Sequence, residues 1–455
     1  MRSTAHRPVL ERVLRELGLD SESPVIADEP DAVPLPSNLP VPTLAADSVA
    51  AASVAAAAVV GARGSTTPAV RLLPRRIAAA YSSERVFAQE GRPPDVWAPL
   101  SGFWPTADGW IRTHGNYPHH AEHLRAGLRL TPTAGPDEVG ERLAVASGAD
   151  SAERITRAGG IAAVVARRDP DADSRWVGEP LVATATLGQA APRPWGDGVL
   201  PLSGVRVLDL TRVIAGPVAT RTLALFGADV LRIDSPRLPE IGWQHLDGGA
   251  GKRTALLDLE SPSERERFVG LLETADVVVL GYRPSGLARI GLTPESLGVL
   301  HPGIVVGRLS AWGFEPGQAD RRGFDSIVQA ASGISWLEST DGGRPGALPA
   351  QALDHSAGYL LAAGIMAAVL AQRSEGGSRL VSTSLRRVAA ELLTLPSIDR
   401  VPADPDLGEE TVEHNGPAGR VRYVLPAPAY DGSPGDFAHP PHPWGSDEPG
   451  WLASP

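Results

Sequence analysis

The chain has 455 residues and a mass of 47.6 kDa, is 42% hydrophobic, and carries a formal net charge of −11. That is apolar material enough for a packed core, which excludes wholesale disorder. No Lys/Arg cluster is dense enough to give the basic face of a nucleic-acid binder, and the absence of Cys excludes disulfides, thiolate metal sites and cysteine nucleophiles together. No uninterrupted apolar run reaches the ~20 residues of a membrane span. The opening MRSTAHRPVLERVLRELG lacks a signal-peptide core. The expectation is a cytoplasmic protein of two or three domains. Lys252 is the lone lysine among 42 basic residues.

In chain order, 1–42 opens with a short amphipathic stretch and becomes Pro-rich, reading as loop or linker. Residues 43–90 are Ala-rich and helical in propensity. Residues 91–190 read as a small α/β domain, with helices in PDEVGERLAVASG and SAERITRAGG before a strand-like IAAVVARR. A Pro/Gly linker fills 191–204. Across 205–395 the pattern is regular. VRVLDL, ADVLRID, DVVVLG and GIVVGRL are buried-strand runs. One helix follows Ala215-Gly216-Pro217 and stops at Gly227; another begins at Pro262 with acids in its first turn. Strands alternating with helices predict a doubly wound parallel, Rossmann-like sheet. Residues 396–455 form a Pro-rich, weakly structured tail. Residues 46–81 echo 353–392: each begins with an Asp, runs through an Ala-rich helix to an Arg, and reaches an Arg-Arg pair. Shared composition or true repetition would each produce this.

Ligands of open α/β sheets bind at the carboxyl ends of the strands. The turn Thr211–Gly216 leads to a helix N-terminus suited to phosphate, and neither a G-x-G-x-x-G nor a P-loop fingerprint is present. Gly251-Lys252-Arg253 and Tyr282-Arg283-Pro284 add cations and an aromatic ring beside the strand ends, which suits a nucleotide carrying phosphates. For His114, His119, His120 and His123 metal binding is a possible reading, but no metal is expected. Asp354, after a Gly/Pro-rich loop and before an apolar helix, reads either as an N-cap or as a carboxylate nucleophile.

SGVRVLDLTRVIAGPVATRTLALFGADVLRID, GKRTALLDL, ADVVVLGYRPSGLARIGL, RRGFDSIVQAASG and ALDHSAGYLLAAGIMAAVLAQR follow one another over about 200–395. Together they resemble the large domain of family III CoA-transferases, the formyl-CoA transferase and carnitine CoA-transferase group. The stretch 97–135, beginning WAPLSGFWPTADGWIRTHGNYPHH, resembles that family's small-domain segment, which usually follows the large domain. Residues 43–190 are thus similar to the family's later half and 200–395 to its first half. This is either a permuted arrangement or a fused pair that lost part of each copy. Gly416–Pro443 is faintly similar to the family's C-terminus.

The resemblance implies CoA transfer between an acyl-CoA and a carboxylic acid through an aspartyl intermediate, with Asp354 as nucleophile, ionised at its helix N-terminus. It places CoA against Val213, Ile214, Leu257, Gly281, Tyr282, Arg283 and Arg289; Lys252, read from its own place beside a strand end, is expected on a CoA phosphate. Gly281-Tyr282 stands where the family commonly has Asn-Phe. The basic residue usual after the second strand is Ser235 here, with Arg237 as its substitute. Related acyl-CoA racemases carry a His where this chain has Phe324, between Gly323 and Asp325; Phe324 cannot take a proton, which favours transferase over racemase or isomerase. A catalytically degenerate CoA-binding partner subunit is the third reading. The implied assembly is an interlinked homodimer or a heteromer with a paralogue. Asp47 takes the place of Asp354 in the echo and reads as a relic or a cap.

Overall fold

Along the central strands successive side chains enter two different cores, as the pleat requires. Val277 and Val279 belong to one, Val278 and Leu280 to the other. Strands buried on both faces are the mark of a parallel sheet covered by helices on each side. The computed structural model, which describes residues 6–19, 26, 32–403 and 406–452, shows this sheet with seven strands. They are β1 (Ala183–Gly188), β2 (Arg206–Leu210), β3 (Asp229–Asp234), β4 (Arg253–Leu256), β5 (Val277–Leu280), β6 (Val305–Ser310) and β7 (Ser378–Ser384). Their spatial order is β1-β7-β6-β5-β2-β3-β4. All pairs are parallel except β1 against β7. From β2 the chain moves outward through β3 to β4, then returns to the other side of β2 with β5. The order therefore reverses between β2 and β5, and the carboxyl ends of these two strands open a crevice.

One face of the sheet is covered by a stack of helices: α1 (Pro8–Leu17), α2 (Val41–Ala62), α3 (Ala215–Leu225) and α5 (Ala352–Glu375). Helix α5 lies between α2 and α3. The approach to α3 is close enough to need Gly358, where a Cβ would stand 2.6 Å from the Ala215 carbonyl oxygen. Helices α2 and α5 are long and apolar enough to cross a membrane by length and composition, and both are mostly buried inside the fold. The uninterrupted apolar run in the sequence is shorter than α2 because the helix extends back to Val41, past Asp47. The second face is covered by Pro262–Leu272 and its neighbours around Phe268, Leu271 and Leu231. Helices α4 (Asp325–Ser332) and α6 (Leu385–Thr394) flank the crevice.

The echoed segments share a course. Helix α2, strand Val70–Arg71 and helix Pro74–Tyr81 repeat the helix–strand–helix order of α5, β7 and α6, and α2 packs on α5. Asp47 sits inside α2, so it is not that helix's cap. Its carboxylate instead accepts the amides of Val9 and Leu10 at 3.1 and 3.3 Å and the Arg7 guanidinium at 3.2 Å, closing the start of α1.

The Pro-rich ends are more ordered than their composition implies. Val33 and Leu35 are core residues, and Ser37, Asn38 and Leu39 all donate to the Glu338 carboxylate. The tail forms a hairpin, Thr411–Gly416 with Gly419–Val424, that pairs with Ala88–Gln89. It then runs along edge strand β4, where the Asp447 amide donates to the Thr254 carbonyl oxygen, the Asp447 carboxylate accepts the Thr254 amide, and Trp444 donates to Asp234. The edge is thereby covered. Proline there suits chain that pairs intermittently. Within 91–190, strands Gly102–Thr106, Gly109–Thr113 and Ala162–Val164 form an antiparallel sheet. Helices Pro118–Leu128, Pro136–Ala144 and Gly148–Arg157 close a separate small core on it. The last strand of that segment, β1, instead joins the large sheet.

Candidate active site

The crevice between β2 and β5 is a cleft of about 450 Å³. Val213, Gly281, Tyr282 and Arg283 line it from the two strand ends, Ser310 and Ala311 from the end of β6, Phe324 from the start of α4, and Asp354 from α5. The strand ends meet closely: a Cβ at Gly281 would lie 3.2 Å from that of Thr211, and one at Gly216 only 2.2 Å from it. Val213 holds φ +70°, an uncommon conformation for a β-branched residue.

Glu240 secures this turn. Its carboxylate accepts the Val213 amide at 3.3 Å, the Arg212 and Arg232 guanidinium groups at 3.3 and 3.0 Å, and the Tyr117 hydroxyl at 2.5 Å. Burial alone would raise the Glu240 carboxyl, but Arg232 and Arg212 outweigh it and hold it at about 2. Arg212 is thus neutralised, while Arg283 is exposed at the rim.

Asp354 is the third residue of α5, two positions past its N-terminal boundary, so it does not cap that helix. The cap comes from α4: Asp325 Oδ2 accepts the Asp354 amide at 2.9 Å, and Oδ1 accepts Gln329 Nε2 at 2.5 Å. Gln329 in turn accepts the Leu348 amide, which ties down the preceding loop. Asp354 itself is 7% exposed. Burial, and then the charge of Asp325, raise its carboxyl well above the usual range. This direction runs against the expectation that the helix terminus keeps it ionised, because burial disfavours the charged form.

Four residues expected on CoA do not line the cleft. Lys252 is 2% exposed, with Nζ donating to Asp209 Oδ2 and Thr220 Oγ1, both at 3.0 Å. It neutralises Asp209, whose other oxygen accepts the Thr211 hydroxyl, so Lys252 underpins the turn rather than meeting a phosphate. Burial lowers Lys252 to about 8 despite the Asp209 charge. Leu257 is buried in the core on the second face. Ile214 occupies the N-cap position of α3 and packs on the other core. Arg289 is exposed in the last turn of helix Pro284–Arg289. Arg237 also fails as a substitute cation, since it is exposed and paired with Asp258 and Glu260.

Sequence reasoning missed the contribution of the small unit. Tyr117, His119 and His120 line the same cleft as Asp354. His114 stacks on Phe324 with ring centroids 3.8 Å apart. Burial, then the neighbouring His119 and Arg322 charges, lower His120 to about 3, so its ring is neutral. The sequence signal was the NYPHH cluster itself, but nothing in its spacing ties it to residues two hundred positions later. Among the described residues no group of three or more His, Cys, Asp or Glu could hold a metal ion.

Fold and site together define an α/β protein with a buried carboxyl in a strand-end cleft. The family model of CoA-transferase family III matches residues 202–431, and the chain belongs to that family. A probable fatty acyl-CoA transferase of Mycobacterium tuberculosis, Rv3272, is 30% identical, the match covering 44% of this chain and 54% of that protein. A succinate–glutarate CoA-transferase of Agrobacterium fabrum is 32% identical over 42% of this chain and 53% of its own. The crystal structure of Rv3272 is similar with a TM-score of 0.41 at 30% identity, over 42% of this chain and 57% of that one. The chain spans about half the length of the curated relatives it matches.

Proposed function

We propose that the chain transfers CoA from an acyl-CoA to a carboxylic acid, with Asp354 as the acyl-accepting nucleophile. The observation that carries this reading is that Asp354 is the one carboxyl, among the described residues, lining the cleft at the reversal between β2 and β5. Val213 and Ala215 bring the N-terminus of α3 to the same cleft, where open amides attract phosphate or a developing oxyanion. Tyr282 offers a ring for adenine and Arg283 a cation for phosphate.

In this reading the Asp354 carboxylate attacks the thioester carbonyl carbon, and CoA thiolate leaves an anhydride behind. The thiolate then attacks the Asp354 carbonyl carbon, and the donor acid departs as its carboxylate. The acceptor carboxylate attacks the aspartyl thioester and expels the thiolate. That thiolate takes the acceptor's acyl carbon and frees Asp354. The proposed assembly is a homodimer, or a heteromer with a paralogue.

Acyl-CoA exchange assayed on the purified chain tests the transfer. Asp354→Ala and Asp354→Asn are both expected to abolish it. Full activity in the Asn variant would show that Asp354 is not the nucleophile.

One observation favours a second reading. His119 and His120 share the cleft with Asp354, so an imidazole base and a carboxyl acid are together despite Phe324. Exchange of the acyl-CoA α-hydrogen in heavy water, without an acceptor acid, would mark that chemistry.

A further inference from the structure

A second cavity, of about 1050 Å³, lies between the small unit and the stretch after β6 with helices α4 and α6. It shares Ile161, Arg321 and Arg322 with the Asp354 cleft, and these three form the wall between them. Much of its remaining lining is apolar, including Ala163, Ala172, Ala331 and the rings of Trp176 and Trp312.

Its charges are mostly spent. Glu153 pairs with Arg157 on the same helix, and Asp169 caps helix Pro170–Gly178 by accepting the amides of Asp171 and Ala172. Arg386 is neutralised by Asp173 at 2.8 Å. Arg167 lies over the Trp336 ring at the exposed rim.

Arg321 and Arg322 differ. The Arg321 guanidinium lies 3.6 Å from the centre of the Trp312 ring, the residue is exposed, and among the described residues no carboxylate pairs with it. Arg322 donates through Nη1 to the Gly159 carbonyl oxygen at 3.0 Å and also has no acidic partner. Two adjoining cations, Arg321 exposed against an aromatic ring and Arg322 half-buried, both without a counter-charge, are completed by an anion. Both arginines also line the cleft that Asp354 lines, whereas Ala163, Ala172 and Ala331 line the second cavity alone.

We propose that this cavity takes the acceptor: a carboxylic acid with an extended apolar body, its carboxylate held by Arg321 and Arg322 beside Asp354. The assignment rests on the transfer reading above, and it adds the substrate class and its place.

The test is calorimetric titration of the full chain with butanoate, octanoate and dodecanoate, and separately with CoA. Affinity should rise with chain length. Ala172→Trp, on a surface helix, fills the apolar end and should weaken dodecanoate by at least about tenfold with CoA binding retained; Ala149→Trp, at the exposed rim, should act in the same direction. Arg321→Gln should weaken all three acids.

Dodecanoate bound as tightly by both Trp variants as by wild type overturns the site, as does failure of wild type to bind any of the acids. So does an Arg321→Gln variant that loses CoA and keeps the acids, which would assign Arg321 to a CoA phosphate. Transfer assays run alongside separate the two proposals. Transfer with an unchanged acceptor KM in all variants overturns the site and upholds the transfer reading. Acid binding that needs these residues, with no transfer, upholds the acid site and overturns the transfer reading.

Discussion

Asp325 caps the helix that carries Asp354: its Oδ2 accepts the Asp354 amide at 2.9 Å, so one buried carboxylate fixes the position of the other and also sets its charge. The hydrogen bond orients the backbone, while the negative charge of Asp325 adds to burial in raising the Asp354 carboxyl. Burial pushes Asp325 itself up to about 6, even with Gln329 and the amides of Asp354 and Leu353 opposing it. Burial and a like charge therefore both favour the protonated form of Asp354.

Asp325→Asn separates position from charge. The amide oxygen can still accept the Asp354 N–H, whereas the charge is gone. If Asp354 attacks as its carboxylate, transfer in wild type should rise with pH, and this acid limb should move to lower pH in the Asn variant. Asp325→Ala should instead lose the cap, at about 0.5–2 kcal/mol. An unmoved limb in Asp325→Asn would leave Asp325 with a structural role alone.

Stability should carry the opposite pH dependence. Asp354 is raised in the folded chain, so the unfolded chain loses its proton first as pH rises. The folded state then binds more protons, and stability falls from the ordinary carboxyl range up through the folded value. Asp47, up to about 6 through burial, acts with the same sign. Urea midpoints of wild type should therefore decline as pH rises above the ordinary carboxyl range, more steeply than those of Asp354→Asn. Parallel slopes would show that the Asp354 carboxyl titrates normally.

Lys252→Met should act on folding rather than on ligand binding. It leaves Asp209 buried without its cation, a loss of about 3–5 kcal/mol in urea denaturation. CoA affinity of the folded fraction should hold. Weaker CoA binding at unchanged stability would return Lys252 to the ligand.

Val213→Gly should relieve the left-handed backbone at the turn. A β-branched residue there costs on the order of 1–3 kcal/mol, and glycine recovers part of it. A higher melting temperature is expected, with weaker CoA binding as the turn loosens; a lower melting temperature would show that the Val213 side chain contributes more by packing than its backbone loses.

The sheet was legible because its signals are local. VRVLDL and DVVVLG are too apolar for a one-sided strand, and Gly227 stops the intervening helix with φ +98°. Asp354, Gly281, Tyr282 and Arg283 were legible through motif register. The partners that decide the chemistry were not. Asp325 lies close to Asp354 only through the packing of α4 on α5, and His120 arrives from a segment before the sheet. Lys252 was misread for a related reason: beside a strand end a lone lysine suits a phosphate, and only burial against Asp209 shows where its charge is spent. The Pro-rich tail was misread because composition reports no pairing partner, and β4 supplies one.

The central claim is that Asp354 becomes acylated. The most direct measurement is to incubate the full chain with an acyl-CoA and hydroxylamine, then digest it and weigh the peptides. The account predicts a hydroxamate on the peptide holding Asp354, dependent on the acyl-CoA and absent from Asp354→Asn. Transfer activity with that peptide unmodified, or a hydroxamate on a different carboxyl, would contradict it.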